Sequence, residues 1–418
     1  MSEWCEIKLG ELITDIAAGP FGSNLKVACF VDEGFPIIDG ANLKSFKVTD
    51  NITKFVTEEK ARSLKRSIAK RHDVVVTISG TLGQISYIPH DSQYAEYLCS
   101  QRQFRATFDE SRVNVPFLVY YFHTWEGQQR ILAYANRVGV PALFQPLKNF
   151  REIKIPLPDL PTQRRIAAVL GALDDKIENN RKICENLEAQ AQALFKSWFV
   201  DFEPWGGKMP EEWKKGKLGD LAECNPFRRL PKGVDARCVE MADLVTNGAF
   251  PSGWSTKKYT GGMKFRNGDT IVARITPCFE NGKAAFINFL EEDEVGFGST
   301  EYVVISSCSA APGGLFYSLV KSPDFITYAK SRMVGSSGRQ RFNAEDVASF
   351  PLTIAPNNVY LELAPYYESI MEKIAQCGKE SRALAEMRDA LLPQLMSGRL
   401  RVDATACQGE IDVGKVEI

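Results

Sequence analysis

The chain of 418 residues lacks any run of eighteen apolar residues, so no membrane span is expected. Its first residues, Met1-Ser2-Glu3-Trp4-Cys5-Glu6, lack the basic and apolar stretches of a secretory signal. Histidine is scarce, with only His72, His90 and His123, and the ten cysteines are scattered singly with no Cys-x-x-Cys pair. A zinc site is therefore not expected, and reduced thiols in a cytoplasmic protein are. There is no Gly-x-x-x-x-Gly-Lys-Ser/Thr phosphate loop, no Gly-x-Gly-x-x-Gly and no Gly-x-Ser-x-Gly. Phosphate-loop, dinucleotide and nucleophile-elbow chemistry are thereby excluded. Asp324 and Glu345 do not compose a nuclease cluster, so no catalytic residue and no metal ligand is assigned.

Net charge is −1, which does not advertise a polyanionic partner. Residues 1–158 and 204–355, however, each carry 19 Lys+Arg and 17 Asp+Glu, so two equal, slightly basic blocks stand apart from neutral or acidic stretches.

The blocks are copies. Trp4 with Lys8-Leu9-Gly10-Glu11-Leu12 recurs as Trp213 with Lys217-Leu218-Gly219-Asp220-Leu221. A strand-like run follows Asp73 (Val74 to Gly80) and another follows Asp269 (Thr270 to Thr276). Each block closes on a proline-containing apolar segment, Ile155-Pro156-Leu157-Pro158 and Phe350-Pro351-Leu352-Thr353.

A helix follows each block, and the helices repeat more strictly. Ile166, Leu170, Leu173, Ile177, Asn180, Cys184, Leu187, Ala191, Leu194 and Trp198 fall at steps of four and three, a heptad seam. Adding 197 to each number reaches Leu363, Tyr367, Ile370, Ile374, Cys377, Ser381, Leu384, Arg388, Leu391 and Leu395. Pro161 leads into the first helix with Thr162 as its expected cap, and Asn357 or Asn358 is expected to cap the second. Pro365 and Gly378 predict that the second helix begins late or bends. A narrow apolar stripe on so long a helix needs cover, and its own copy, antiparallel, is the expected partner. The expectation is an α+β chain: two globular domains separated by two long antiparallel coiled-coil helices, a pseudo-twofold internal repeat. Its bounds are 1–158, 159–203 (helix one), 204–355, 356–402 (helix two) and a tail, 403–418, expected to be loosely ordered.

The order of globular block, proline-rich exit and Gln163-Arg164-Arg165-Ile166 opening a long helix resembles the specificity subunit of type I restriction–modification systems. Leu391-Leu392-Pro393-Gln394-Leu395-Met396-Ser397-Gly398 is similar to the end of that family's second helix. Gly19-Pro20-Phe21-Gly22-Ser23-Asn24-Leu25-Lys26 and Ser79-Gly80-Thr81-Leu82-Gly83 are similar to segments of its target-recognition domains. The resemblance spans residue 1 to about 402. The second helix departs from it at Val359-Tyr360, where an acid–glutamine pair is usual. The resemblance implies a non-catalytic DNA-recognition subunit in which each domain reads half of a bipartite double-stranded target and the helices act as a ruler. It implies two methyltransferase subunits that use S-adenosylmethionine for adenine-N6 methylation, and motor–nuclease subunits that use ATP and Mg2+. A DNA-binding module of the same build in another DNA-directed complex is the alternative. Asn225-Pro226-Phe227 faintly resembles the Asn-Pro-Pro-aromatic loop of adenine methyltransferases. It lacks one proline and a preceding glycine-rich cofactor loop, and reads as an ordinary turn.

Candidate DNA contacts follow from charge and loop chemistry. Lys60, Arg62, Lys65, Arg66, Lys70 and Arg71 place six cations in twelve residues with no acid among them, suited to phosphates or else to a solvated helix face. In the second block their counterparts are Arg228, Arg229, Lys257, Lys258 and the loop Arg339-Gln340-Arg341, which offers forked donors for base edges. The loop from Arg137 to Gln145 is its equivalent in the first block. The turn containing Ser23, Asn24 and Lys26 is a further phosphate candidate. Leu187, Leu194 and Trp198 are expected to hold the helix pair together, with Phe195, Phe199 and Trp205 facing outward to grip a methyltransferase subunit.

Overall fold

A computed structural model describes residues 4–136, 139–336 and 338–402. The fold is α+β, in two compact units: Met1–Asp174 with Met387–Ile418, and Asp175–Glu386. The division falls inside both long helices, Leu160–Phe199 and Asn357–Met396, so each unit consists of a head and a stretch of each helix. Among the described residues no helix is long and apolar enough to cross a membrane.

In the first unit the chain enters on Cys5–Lys8, antiparallel to the exit strand Lys154–Leu157. Between them, one sheet has the order Ile13–Ala18, Gln103–Phe108, Val74–Thr77, Ile85–Tyr87. Val74–Thr77 is buried throughout, which its run of β-branched residues favours. A second sheet pairs Phe35–Ile38 in parallel with Glu96–Cys99, flanked by Phe55–Val56 and Ile68–Lys70. The helix Val115–His123 is buried along nearly its whole length, and Asn114 caps it by accepting the Phe117 N–H at 3.0 Å.

The second unit repeats this order, except that the first unit has an added edge strand, Phe30–Val31, and a short pair, Ala135–Asn136 with Ala142–Leu143, not matched among the described strands of the second. Lys214–Lys217 pairs with Pro351–Ile354. One sheet runs Ala222–Cys224, Tyr302–Ser307, Thr270–Ala273, Ala284–Phe286. In the other, Asp235–Val239 and Gly296–Gly298 are the parallel pair, with Ser255–Lys258 and Met263–Phe265 outside them. Gly313–Lys321 takes the place of the buried helix. The two acids that open the strand-like runs do the same work. The Asp73 carboxylate accepts the Lys70 N–H at 2.9 Å, and that of Asp269 accepts the Arg266 N–H at 2.7 Å.

Both helix starts differ from expectation. Asp159, not Thr162, caps the first helix: its carboxylate accepts the Thr162 N–H at 2.7 Å, so the helix starts three residues before Gln163. Pro161 then falls in the first turn, where no N–H is needed. In the second helix Asn357 and Asn358 lie inside the first turn. That helix neither begins late nor is interrupted at Pro365 or Gly378; it is one element of 40 residues, held on its packed face by buried Leu363, Tyr367, Ile374 and Cys377.

Within each unit the helix stretches run antiparallel. In the second, the Tyr367 hydroxyl donates to the Ala191 carbonyl at 3.0 Å, and the Asn180 amide donates to Glu380 at 2.8 Å. Ile370, Leu187, Leu194 and Trp198 are half-buried against the same core. Ile177 and Leu384 are half-buried as well. In the first unit Ile166 and Leu170 share a core with Leu391, Leu392, Leu395 and Met396, and Leu173 is buried. Arg388, the polar intruder in the heptad seam, is paired with Asp174 at 2.8 Å and lies over the Phe46 ring at 5.1 Å. The Tyr120 hydroxyl donates to the same Asp174. Gly398, at φ +68°, ends the second helix as the sequence predicts.

Candidate nucleic-acid interface

In the first unit four loops meet at one end of the sheets: the turn after Ile13–Ala18, the segment after Val74–Thr77, the Ser100–Arg102 connection, and the approach to the helix Pro146–Glu152. Backbone hydrogen bonds lock them together. Gly19 N–H donates to the Gln103 carbonyl at 2.7 Å, Ile78 to Arg102 at 2.7 Å, Gly80 to Pro141 at 3.0 Å, and Leu143 to Ile78 at 2.8 Å. Only glycine fits at position 19, because a Cβ there would stand 1.9 Å from the Ser100 carbonyl oxygen.

The loops enclose an open cleft of about 760 Å³ lined by Phe21, Gln101, Arg102, Gln145 and Lys148, with no acidic residue in its wall. A second hollow of about 610 Å³ shares Gln101 and Arg102 and adds Lys54, Thr81 and Gln84. Its one carboxylate, Asp39, is neutralised by Lys54 at 2.5 Å. Amides, a guanidinium and ammonium groups on rigid loops are the donors and acceptors that base edges and phosphates call for. Neither wall brings a nucleophile together with a base.

In the second unit the loop before Phe342 holds the equivalent place. Thr276 N–H donates to the Gln340 carbonyl at 3.0 Å and Phe342 to Arg274 at 3.3 Å, matching the Gly80–Pro141 and Leu143–Ile78 bonds. Arg339-Gln340-Arg341 therefore stands where the first unit has Val140-Pro141-Ala142. Glu301 accepts from Arg341 Nε at 3.0 Å and Nη2 at 2.8 Å, and Arg274 shares this carboxylate at 3.2 Å. The Arg341 hydrogen bonds hold the Glu301 carboxyl below the usual range, against a smaller opposing effect of burial.

Residues 1–189 match the family model described as the type I restriction modification DNA specificity domain. The chain is 25% identical over 380 residues to the type I restriction enzyme MjaIX specificity subunit of Methanocaldococcus jannaschii, covering 83% of this chain and 82% of that one. It is 24% identical over 325 residues to the HindI specificity subunit of Haemophilus influenzae, covering 59% and 69%. The chain is thus similar in its first 189 residues to that domain, and over most of its length to specificity subunits of type I restriction enzymes. A crystal structure of such an S subunit from M. genitalium superposes with a TM-score of 0.57 at 15% identity, covering 94% of this chain and 96% of that one, a likeness of fold.

Within this chain the sequence-predicted contacts sort unevenly. Gln145 reaches the cleft, and Ser23, Asn24 and Lys26 are exposed on the neighbouring turn. Lys65 and Arg66 are exposed next to that turn, which Ser67 Oγ ties down by donating to the Ala18 carbonyl at 2.9 Å. The rest of the cationic run is less free than its spacing suggests. Arg62 sits between Glu58 (2.8 Å) and Glu96 (2.6 Å), Lys70 lies 3.7 Å from Glu96, and Arg71 donates to the Ser92 carbonyl at 2.9 Å. Lys60 is half-buried. These acids are remote in sequence or just outside the run.

Three expectations are corrected. Arg228 is not a free surface cation: its side chain is 10% exposed and paired at 2.7 Å with Asp269, itself 2% exposed, so it fastens the head. Arg341 has its fork occupied by Glu301 and shapes the loop, leaving Arg339 exposed and Gln340 half-buried. Phe195, Phe199 and Trp205 do not project outward. Phe199 stacks on Phe195 and Tyr360, both at 5.8 Å, and Trp205 packs on Trp213 at 4.6 Å. Lys257 is paired with Glu240 at 2.6 Å, whereas Arg229 and Lys258 are exposed. Arg137 lies outside the described residues, as does the tail 403–418.

Sequence reasoning missed Gln84, Gln101, Arg102 and Lys148. Each is an ordinary polar residue in its own stretch of chain, and only the meeting of four loops makes them one surface. The Gln101-Arg102-Gln103 triplet between two strands was the one local signal available.

Proposed function

We propose that this chain is the DNA-recognition component of a type I complex, each head reading one half of a bipartite duplex target with the loops described above. The observation that carries the reading is the acid-free cleft lined by Gln101, Arg102, Gln145 and Lys148, matched by the Arg339–Arg341 loop at the equivalent position of the second head. Arg102 and Arg339 suit guanine edges, Gln101, Gln145 and Gln340 suit adenine edges, and Lys26, Lys65 and Lys148 serve phosphates. The helices set the spacing between half-sites. The chain itself performs no chemistry. Two methyltransferase subunits bring S-adenosylmethionine and methylate adenine N6, and motor–nuclease subunits bring ATP and Mg2+. The complex works in the cytoplasm.

The test is to co-express the chain with its methyltransferase subunit and map N6-methyladenine across the genome. A single bipartite sequence with a fixed gap is expected. Methylation without such a sequence, or unchanged when this chain is omitted, would refute the reading. Inserting one heptad into both helices is expected to lengthen the gap and leave the half-sites unaltered.

A further inference from the structure

The first head uses two more residues than the second on one stretch beside its cleft. Hydrogen bonds fix both ends of that stretch alike. At its start Leu143 N–H donates to the Ile78 carbonyl at 2.8 Å, and Phe342 N–H donates to the Arg274 carbonyl at 3.3 Å. Ile78 and Arg274 each stand five positions after the acid that opens the strand, Asp73 or Asp269. At its end the Ile153 and Phe350 carbonyls accept the Leu9 and Leu218 N–H groups, both at 2.9 Å. Nine residues, 144–152, fill the interval in the first head, and seven, 343–349, in the second.

The shorter stretch contains no left-handed residue. Asn343, with extended backbone, caps the helix Ala344–Ala348: its Oδ1 accepts the Asp346 N–H at 2.8 Å, and the Asp346 carboxylate accepts the Asn343 N–H at 2.9 Å. The longer stretch turns on Gln145, at φ +40° and ψ 57°, directly before the helix Pro146–Glu152. Glutamine is a poor choice there on two counts. The left-handed region suits glycine or asparagine, and so does the capping position, at which the Gln145 side chain makes no hydrogen bond. The second head shows that the fold closes this stretch without such a turn. What the turn does is hold one side chain in place. Phe144 N–H donates to the Tyr134 carbonyl at 2.9 Å, Asn149 N–H to the Gln145 carbonyl at 3.0 Å, and Asn149 Nδ2 to the Phe144 carbonyl at 2.6 Å. Gln145 is exposed in the wall of the acid-free cleft, and its amide has no hydrogen-bond partner among the described residues.

We propose that Gln145 is the specificity-determining residue of the first head, reading from the major groove the adenine of one A·T pair other than the pair that is methylated. The inference rests on the DNA-recognition reading above. A primary amide carries a donor and an acceptor side by side, which match N7 and the N6 amino group of adenine. Guanine presents two acceptors, O6 and N7, at the same edge, so the amide oxygen would meet an acceptor. Phe21 and Leu147 in the same wall offer an apolar contact to the methyl group of the paired thymine. A reading side chain has to be held in register with its base edge, and a turn fixed by three hydrogen bonds supplies that.

The experiment uses the full chain assembled with its methyltransferase subunit, and reads methyladenine mapping, binding to a duplex of the mapped target, and Tm. Gln145→Ala removes the amide, and Gln145→Gly also relieves the left-handed backbone. Both are expected to relax one A·T position in one half-site and to weaken binding to the wild-type target about tenfold. The other half-site, the gap and the slope of affinity against salt stay as in the wild type, since no phosphate contact is lost. Gln145→Glu keeps the size of the side chain but cannot donate to N7, and is expected to lose adenine at the same position. Gln145→Gly is expected to match or exceed the wild-type Tm. An unchanged methylated sequence in the glycine variant overturns the assignment and leaves the DNA reading standing. So does relaxation at a G·C pair, or in both half-sites. A lower Tm in Gln145→Gly would assign the left-handed glutamine to the fold and overturn it as well. A wild-type complex that methylates no bipartite sequence overturns both.

Discussion

The two heads share a strand order but rest on their helix stretches by different physics. In the first unit an apolar core that includes Ile166, Leu170, Leu392 and Leu395 is joined by a charged cluster: Arg388 meets Asp174, the Tyr120 hydroxyl donates to that same carboxylate, and the guanidinium lies over Phe46. In the second the contact is close aromatic packing. A Cβ at Gly378 would stand 2.2 Å from the Phe250 ring, and Trp254 stacks on Phe289 at 4.1 Å with the Arg382 guanidinium 4.3 Å from its ring. One feature survives in both. Tyr120 and Tyr317, one position apart in the buried helices of the two heads, each donate to an acid of the first long helix, Asp174 and Glu188, the latter at 3.0 Å. A duplicated architecture thus tolerates a change in the kind of contact as long as shape and polar pairing are met locally. The residues that looked like defects in the second helix, Gly378 and Arg388, are the points on which the heads bear.

Substitutions can break this comparison, and the largest effect is expected at Arg228. Arg228→Ala leaves Asp269 charged and buried, and should cost the second unit about 3–5 kcal/mol. Urea unfolding would measure it; a fall in DNA affinity at unchanged stability would return Arg228 to the interface. Gly378→Val forces Phe250 from its seat and should cost about 2 kcal/mol, seen as a lower Tm, whereas Gly171→Val on the first helix, where nothing stands within 4 Å, should cost far less. The electrostatic dock is tested by a double-mutant cycle of Asp174→Asn and Arg388→Met. A coupling of about 1–2 kcal/mol is expected, and additive losses would show that the pair is incidental.

Smaller effects sharpen the contrast between the reading loops. Arg339→Ala should leave stability unchanged, weaken binding about tenfold and relax one half-site only, as methyladenine mapping would reveal. Equal relaxation at both half-sites would contradict a modular reading. Lys65→Ala should alter no sequence preference and lower the salt dependence of binding by about one counterion. Phe199→Ala, given its packing on Phe195 and Tyr360, should lower Tm; normal stability with lost methyltransferase association would restore the outward role expected from sequence.

Much of the architecture was legible in the chain because it is periodic. Steps of four and three mark a buried helix face whatever surrounds it, and the constant offset of 197 marked the second helix despite Ser381 and Arg388. The site was legible only in part. Gln145 and Arg339 stood out as loop residues with useful donors, but Arg341 and Arg228 looked the same. What separates them is a carboxylate 40 or 41 residues away, Glu301 and Asp269, and no local pattern reports it.

By itself the sequence determined the duplication, the two helices with their antiparallel seam, and the resemblance to type I specificity subunits, since hydrophobic period and motif spacing are local properties of the chain. Tertiary structure alone decided which cations are free and which are spent on acids, and which loops share a wall. It also decided that Gly378 and Arg388 are seats for the heads. Each of those outcomes depends on groups distant in sequence coming within hydrogen-bonding or van der Waals range, and that distance is set by the packed sheets beneath them.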